Sequence, residues 1–92
     1  MISYDDAKRV SNLAKHGIDL QIAEIVFAGF TITQEDQREA YGEPRFVTLG
    51  LWQDVVVVVH TPRDDTDHII SIRRAERHEH RISGTHYPHR LR

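Results

Sequence analysis

The stretch FVTLGLWQDVVVVVHTPRDDTDHIISIR, from Phe46 to Arg73, decides the fold of this chain. In its first part Val47, Leu49 and Leu51 alternate with Thr48 and Gly50, the two-residue period of a strand with two different faces. Gln53 and Asp54 then supply a tight turn, so the next segment folds back as the second arm of a hairpin. That segment, Val55 to Val59, has no polar alternation and reads as a central strand covered on both faces, or nearly so. After the turn residues Thr61 to Asp65, the segment His68 to Arg73 alternates again, with Ile70 and Ile72 expected on one face and Ser71 and Arg73 on the other.

Upstream of this meander the period changes. In DDAKRVSNLAKHG, residues 5–17, the apolar residues Ala7, Val10, Leu13 and Ala14 recur at helical spacing and are expected to face the core. Asp5 and Asp6 suit the positive end of the helix dipole, and Gly17 suits the left-handed position that ends a helix. Asp19 is a candidate N-cap for a second helix whose apolar stripe, Ile22, Ile25, Val26 and Phe27, stops at Gly29. Phe30 to Gln34 is rich in β-branched residues and reads as a strand, and Tyr41-Gly42-Glu43-Pro44 is turn chemistry. A last helix from about Ala75 to Ser83 completes an α+β order: two N-terminal helices, an antiparallel sheet of about four strands, and a C-terminal helix.

At 92 residues the chain has room for one modest core, so a single domain over residues 1–83 with a tail at 84–92 is expected. A domain of this size buries only about 60–65 % of its unfolded surface, which leaves it open to stabilisation by a permanent partner. The absence of cysteine excludes disulfides and thiolate catalysis. No secretory leader opens the sequence and its longest apolar run is too short to span a bilayer, so a soluble cytoplasmic location is expected.

The formal net charge of -2 conceals an uneven distribution. Arg73, Arg74, Arg77, Arg81, Arg90 and Arg92 face only Glu76 and Glu79 in the last twenty positions, with four histidines among them. Arginine forks suit bidentate recognition of phosphate or carboxylate, so an anionic partner is one reading of this segment. A solvated helix face carrying Arg77 and Arg81 at i and i+4 is the other. The sheet poses the same choice. One face is expected under the helices, while Ser71 and Arg73 lie on the other and His60 ends the central strand.

Read in order, the chain has Lys8, Asn12, Lys15-His16-Gly17-Ile18, Asp36, Tyr41-Gly42-Glu43 with Arg45, Gly50, Ile70-Ser71 with Arg73-Arg74-Ala75, and Glu79. This order and spacing resembles the BrnT family of type II toxins from about Tyr4 to Glu79. Each short piece is weak by itself, and the series is specific. The resemblance implies a fold like that of the RelE-type ribonucleases, cleavage of RNA that blocks translation, and neutralisation by a BrnA-like antitoxin whose DNA-binding part represses the shared operon. It also allows a second copy within a toxin-antitoxin heterotetramer, and implies no membrane and no cofactor. The chain departs from the family at Leu20 and near Ile82 and Ser83, where the family often has aromatic residues, and continues as GTHYPHRLR.

Cleavage of RNA without a metal needs a base for the ribose 2'-OH, a cation for the crowded phosphorane, and an acid for the leaving 5' oxygen. His16 or Glu43 are the expected base or acid. Arg45, Arg73 and Lys15 are the expected phosphate and transition-state contacts, with Arg74, Arg77 and His60 as further RNA-binding candidates. Each has a plainer role available. Lys15 and His16 complement a helix C-terminus, Glu43 and Arg45 could pair on the surface, Arg74 shares the parity of Ile72, and His60 could be a hydrogen-bonded core residue. His78-x-His80 and His86-x-x-His89 do not make a metal site, since i and i+2 do not share a helix face and no carboxylate motif completes a shell. The rival to an enzyme is a binding module whose arginine-rich helix docks an acidic or DNA-binding partner.

Overall fold

A computed structural model describes residues 1–37 and 42–86, the last four of these as backbone only. The elements are β1 (Ile2–Tyr4), α1 (Asp6–His16), a 3-10 turn (Leu20–Ile22), α2 (Ala23–Ala28), β2 (Ile32–Glu35), β3 (Phe46–Leu51), β4 (Val55–Arg63), β5 (Thr66–Arg74) and α3 (Arg77–His86). The strands form one sheet in the order β1-β5-β4-β3-β2. The meander β2 to β5 is antiparallel, as its sequence implies, and Val55 to Val58 are buried as expected of a central strand. Tyr41 and residues 87–92 lie outside the described residues. Among those described, no helix is long and apolar enough to cross a membrane.

The sheet has five strands where about four were expected. The addition is β1, which pairs in parallel with the edge of β5, Ser3 beside His68 and Tyr4 beside Ile69. Three residues are too few to show a period, so only the neighbouring strand reveals it. The turn expected over Thr61 to Asp65 is tighter than that. β4 runs on through Arg63, and Asp64 with φ of 52° makes the reversal. The second helix divides into the 3-10 turn and the six-residue α2, on which Ile25 remains exposed, and α3 continues past Ser83 to His86.

Two corrections concern which way side chains point. Opposite His60, β5 carries a bulge, so His60 pairs with Ile69 and Val59 with Ser71. The extra residue, Ile70, is displaced from the core, and Ile69 joins Ile72 there instead. Helix α1 is the second case. Its expected core residues Val10 and Leu13 are 68% and 47% exposed and Ala7 and Ala14 are exposed, whereas Asn12 is buried against the sheet.

Asn12 holds that seat because it satisfies backbone groups no apolar side chain could. Its amide donates to the carbonyls of Ile18 and Ile72, both at 2.9 Å, and its oxygen accepts from the Ile72 N–H at 3.1 Å. The ends of α1 behave as their residues dictate. Asp5 accepts from the Ala7 N–H, and Gly17, at φ of 70°, sends its N–H back to the Leu13 carbonyl. Asp19 caps the next turn through the Gln21 N–H and takes a two-point contact from Arg9 at 3.0 and 2.8 Å, which holds its carboxyl below the usual range.

The main core lies between the helices and one face of the sheet, where Ile18, Leu20, Ala23 and Val26 meet Val56, Val58, Ile69 and Ile72. Each such side chain contributes about 1.5–3 kcal/mol on full burial. Gly50 lets α2 come this close, for a Cβ there would stand 2.3 Å from a Val26 methyl. The opposite face is not simply polar. Leu49, Val55 and Val57 are buried there too, on the side where Glu79 of α3 grips Arg73.

Candidate functional site

The sheet's strands end in two rims, and the expected site residues divide between them and the helix layer. At the rim where β5 ends, Arg73 pairs across from Val57 and projects to the α3 side. Its guanidinium meets Glu79 through two bonds of 2.9 and 2.8 Å and also donates to the Arg74 carbonyl. Glu79 in turn accepts from the Glu76 N–H, the reciprocal half of a capping box, so one carboxylate both starts α3 and ties it to the sheet. The Arg73 guanidinium lowers the Glu79 pKa. Arg74 is across from Val56, as its parity with Ile72 implies, and its guanidinium lies 5.5 Å from the Trp52 ring centre while donating to the Trp52 carbonyl. Arg77 opens α3 and is exposed.

Lys15 and His16 end α1 and are exposed in the helix layer. His60 is not on an exposed face. It is 6% exposed, edge-on to Phe27 and stacked beside Phe46. Burial lowers its pKa, with Asp67 acting against that, so the ring is neutral at neutral pH. A neutral ring beside the Asp67 carboxylate must donate from Nδ1, at 3.2 Å, and accept at Nε2 from the Thr48 hydroxyl, at 2.7 Å. Thr48 has then given its proton away and accepts from Thr33 at 2.7 Å. The series crosses β2, β3, β4 and β5 and serves as a polar tie through the sheet.

The opposite rim gathers the groups suited to chemistry. The Thr61 hydroxyl donates to the Pro44 carbonyl and so fixes the backbone beside Glu43. Glu43 is half-buried and meets Arg63 at 3.3 Å, and half-buried Arg45 closes the loop by accepting from the Asp36 N–H through its carbonyl at 2.7 Å. His68, on the neighbouring strand, is held by Ser3 of β1, which shares a bond with Nδ1 at 2.9 Å. Ser3 is itself within 3.2 Å of the Thr66 hydroxyl, which donates to the Arg63 carbonyl. Among the described residues Nε2 of His68 has no hydrogen-bond partner. Burial lowers the His68 pKa, followed by the charge of Arg63. Glu43 and Asp5 oppose the shift and Lys8 adds to it.

An oriented neutral imidazole, a carboxylate and several cations therefore share one rim, the set that proton transfer at a phosphodiester needs. Arg73 is not part of it, being five residues along β5 from His68, about 16 Å at strand rise. The sequence reading missed His68, Arg63 and Ser3. A signal for them existed only in pairing, since β1 places Ser3 on His68 and the β4–β5 turn places Arg63 near both. Among the described residues no group of three His, Asp or Glu side chains could hold a metal ion.

The sequence model of the family described as the ribonuclease toxin, BrnT, of type II toxin-antitoxin systems matches residues 4–79. No curated protein matches the chain. Among solved structures, the 1.1 Å crystal structure of the Brucella abortus ribonuclease toxin BrnT is similar, with 25% identity and a TM-score of 0.61 over 83% of this chain and 96% of that one.

Proposed function

The chain belongs to the BrnT family of ribonuclease toxins of type II toxin-antitoxin systems, and from that membership we propose that it cleaves RNA without a metal ion, by attack of a ribose 2'-OH on the adjacent phosphate. The observation that carries this reading is the rim of Glu43, Arg63 and His68. His68 accepts the 2'-OH proton at Nε2, because its neutral form is favoured and its other ring nitrogen is held by Ser3. Glu43 orients the attacking sugar beside it. Arg63, Arg45 and Lys8 offset the charge that develops on the phosphorane, and a protonated His68 or a bound water returns a proton to the leaving 5' oxygen. Arg73 acts at one remove, through Glu79 and α3, and Arg74, Arg77 and Lys15 guide the rest of the strand electrostatically. Translation is blocked through loss of RNA, and a BrnA-like antitoxin with a DNA-binding part neutralises the toxin and represses the operon.

The test is cleavage of a defined RNA by the purified full chain in EDTA, beside a substrate with one deoxyribose just 5' of the cut. We expect activity to persist in EDTA and to vanish at the deoxyribose. Strict dependence on an added divalent ion, or normal cutting at the deoxyribose, overturns the mechanism. Intact RNA throughout, with the protein folded, leaves a binding module.

A further inference from the structure

The ladder between β3 and β4 stops before it reaches Glu43. Phe46 pairs with His60, and two residues further in this register Pro44 faces Pro62. The Arg45 carbonyl is turned toward β2, where it accepts from the Asp36 N–H, so the carbonyls of its neighbours Phe46 and Pro44 are turned toward β4. At that place β4 offers no amide hydrogen, because position 62 is proline. The Thr61 hydroxyl donates to the Pro44 carbonyl instead. Thr61 is fully buried and is the direct cross-strand partner of His68 on β5, which puts the two side chains next to each other on one face of the sheet. One buried residue therefore adjoins His68 and ties down the backbone beside Glu43.

We propose that Thr61 is a positioning residue for RNA cleavage: its hydroxyl replaces the N–H that Pro62 lacks, and by holding the Pro44 carbonyl it sets Glu43 at a fixed place relative to His68. The inference rests on the use of Glu43 and His68 proposed above. Thr61 itself is closed to substrate and acts through Pro44. The bond between Asp36 and Arg45 anchors the segment to β2, which lies at the edge of the sheet away from β5 and His68. The contact of Glu43 with Arg63, at 3.3 Å, reaches the β4–β5 hairpin but is a surface pair, of the kind that fixes little by itself. The Thr61 bond is buried and joins the segment to the strand next to His68, where a shift of about 1 Å in a reacting group is enough to slow chemistry. The charges around His68 also depend on this placement. Arg63 and Lys8 favour loss of its proton, whereas Glu43 and Asp5 favour its retention.

The experiment compares single-turnover cleavage of a defined RNA across pH by full chains carrying Thr61→Val, Thr61→Ser, Thr61→Val with Pro62→Ala, and Thr61→Val with Glu43→Gln. Glu43→Gln and His68→Ala serve as references, and urea denaturation is read for every chain. Thr61→Val keeps the shape of the side chain and loses the hydroxyl. We expect it to slow cleavage at saturating RNA about 10–100-fold, the cost of a misplaced group, with the half-saturating concentration little changed. Its acid limb should move to lower pH, since a displaced Glu43 no longer helps His68 keep its proton. Thr61→Ser should cleave normally, and Pro62→Ala, which supplies the missing N–H, should restore the rate and the acid limb lost in Thr61→Val. On the Glu43→Gln chain Thr61→Val should add little, because it acts through Glu43. A folded Thr61→Val chain with wild-type rate and acid limb overturns the inference, as does a full further loss on the Glu43→Gln chain. Should Thr61→Val alone not fold, failure of Pro62→Ala to restore folding and rate together overturns it. Wild-type cleavage by both Glu43→Gln and His68→Ala overturns the inference together with the catalytic reading of the rim, whereas impairment of both beside an unaffected Thr61→Val removes this inference alone.

Discussion

Two histidines eight positions apart, on neighbouring strands, show how much of a site is decided by access. His60 stands in the order Asp67, His60, Thr48, the sequence of contacts that activates a hydroxyl nucleophile. Yet Thr48 is fully buried under the helix layer and its oxygen is already committed to Thr33. No substrate reaches it, and the arrangement ties strands together. His68 has fewer bonds among the described residues, with one ring nitrogen on Ser3 and no partner there for the other, and it is half-exposed beside Glu43, Arg63 and Lys8. Burial lowers the pKa of both rings. The proton transfer proposed above suits the ring that has a nitrogen without a partner among the described residues and a path to solvent.

The largest expected effect is on His68. His68→Ala should reduce single-turnover cleavage about 10²–10⁴-fold, as loss of a general base does, while urea denaturation shows the domain nearly as stable as before. His60→Ala should do the reverse, lowering unfolding free energy by about 1–3 kcal/mol through lost packing and unpaired Thr48 and Asp67 groups, with cleavage per folded molecule preserved. Loss of cleavage in folded His60→Ala would erase the distinction between the two regions.

Asn12→Ala should cost about 2–4 kcal/mol, since it strands buried backbone groups of Ile18 and Ile72. A small loss in urea unfolding would mean that α1 is held by something other than this residue. Gly50→Ala forces a carbon against Val26 and should destabilise by about 1–3 kcal/mol, read as a lowered melting temperature.

The smallest effect is with pH. A histidine whose folded pKa lies below its unfolded value near 6.5 binds more protons when unfolded. The stability from His60 is therefore fully present above about pH 6.5 and is lost as pH falls below it. The lowered carboxyls of Asp19 and Glu79 add a second loss at pH values below the ordinary carboxylate range. Cleavage should also weaken on the acid side as His68 protonates, and His68→Ala should flatten that limb while the part of the acid stability loss that His60 carries remains. An acid limb that persists in His68→Ala assigns the base elsewhere.

Part of this was legible in the residues one after another. The all-valine run announced a central strand, Gly17 and Asp19 marked helix ends, and the ordered series from Lys8 to Glu79 carried the family. Of the candidate site residues named from the sequence, Glu43 and Arg45 lie at the rim proposed for catalysis, and Arg73 is fixed by Glu79 at the far one. His68 gave no local signal, because what orients it is a serine 65 residues away on a three-residue strand.

The sequence by itself determined the α+β class, the meander, the caps and the family, because these rest on interactions between near neighbours or on a residue order that can be read directly. Tertiary structure alone decided which way the faces turn. The bulge opposite His60 exchanged Ile70 for Ile69 in the core, and the hydrogen bonds from Asn12 to Ile72 rolled the apolar stripe of α1 out to solvent. Periodicity reports that a helix or strand has two unlike sides. Which side is buried depends on the partner it meets, and a buried backbone group in need of a hydrogen bond can outweigh a valine.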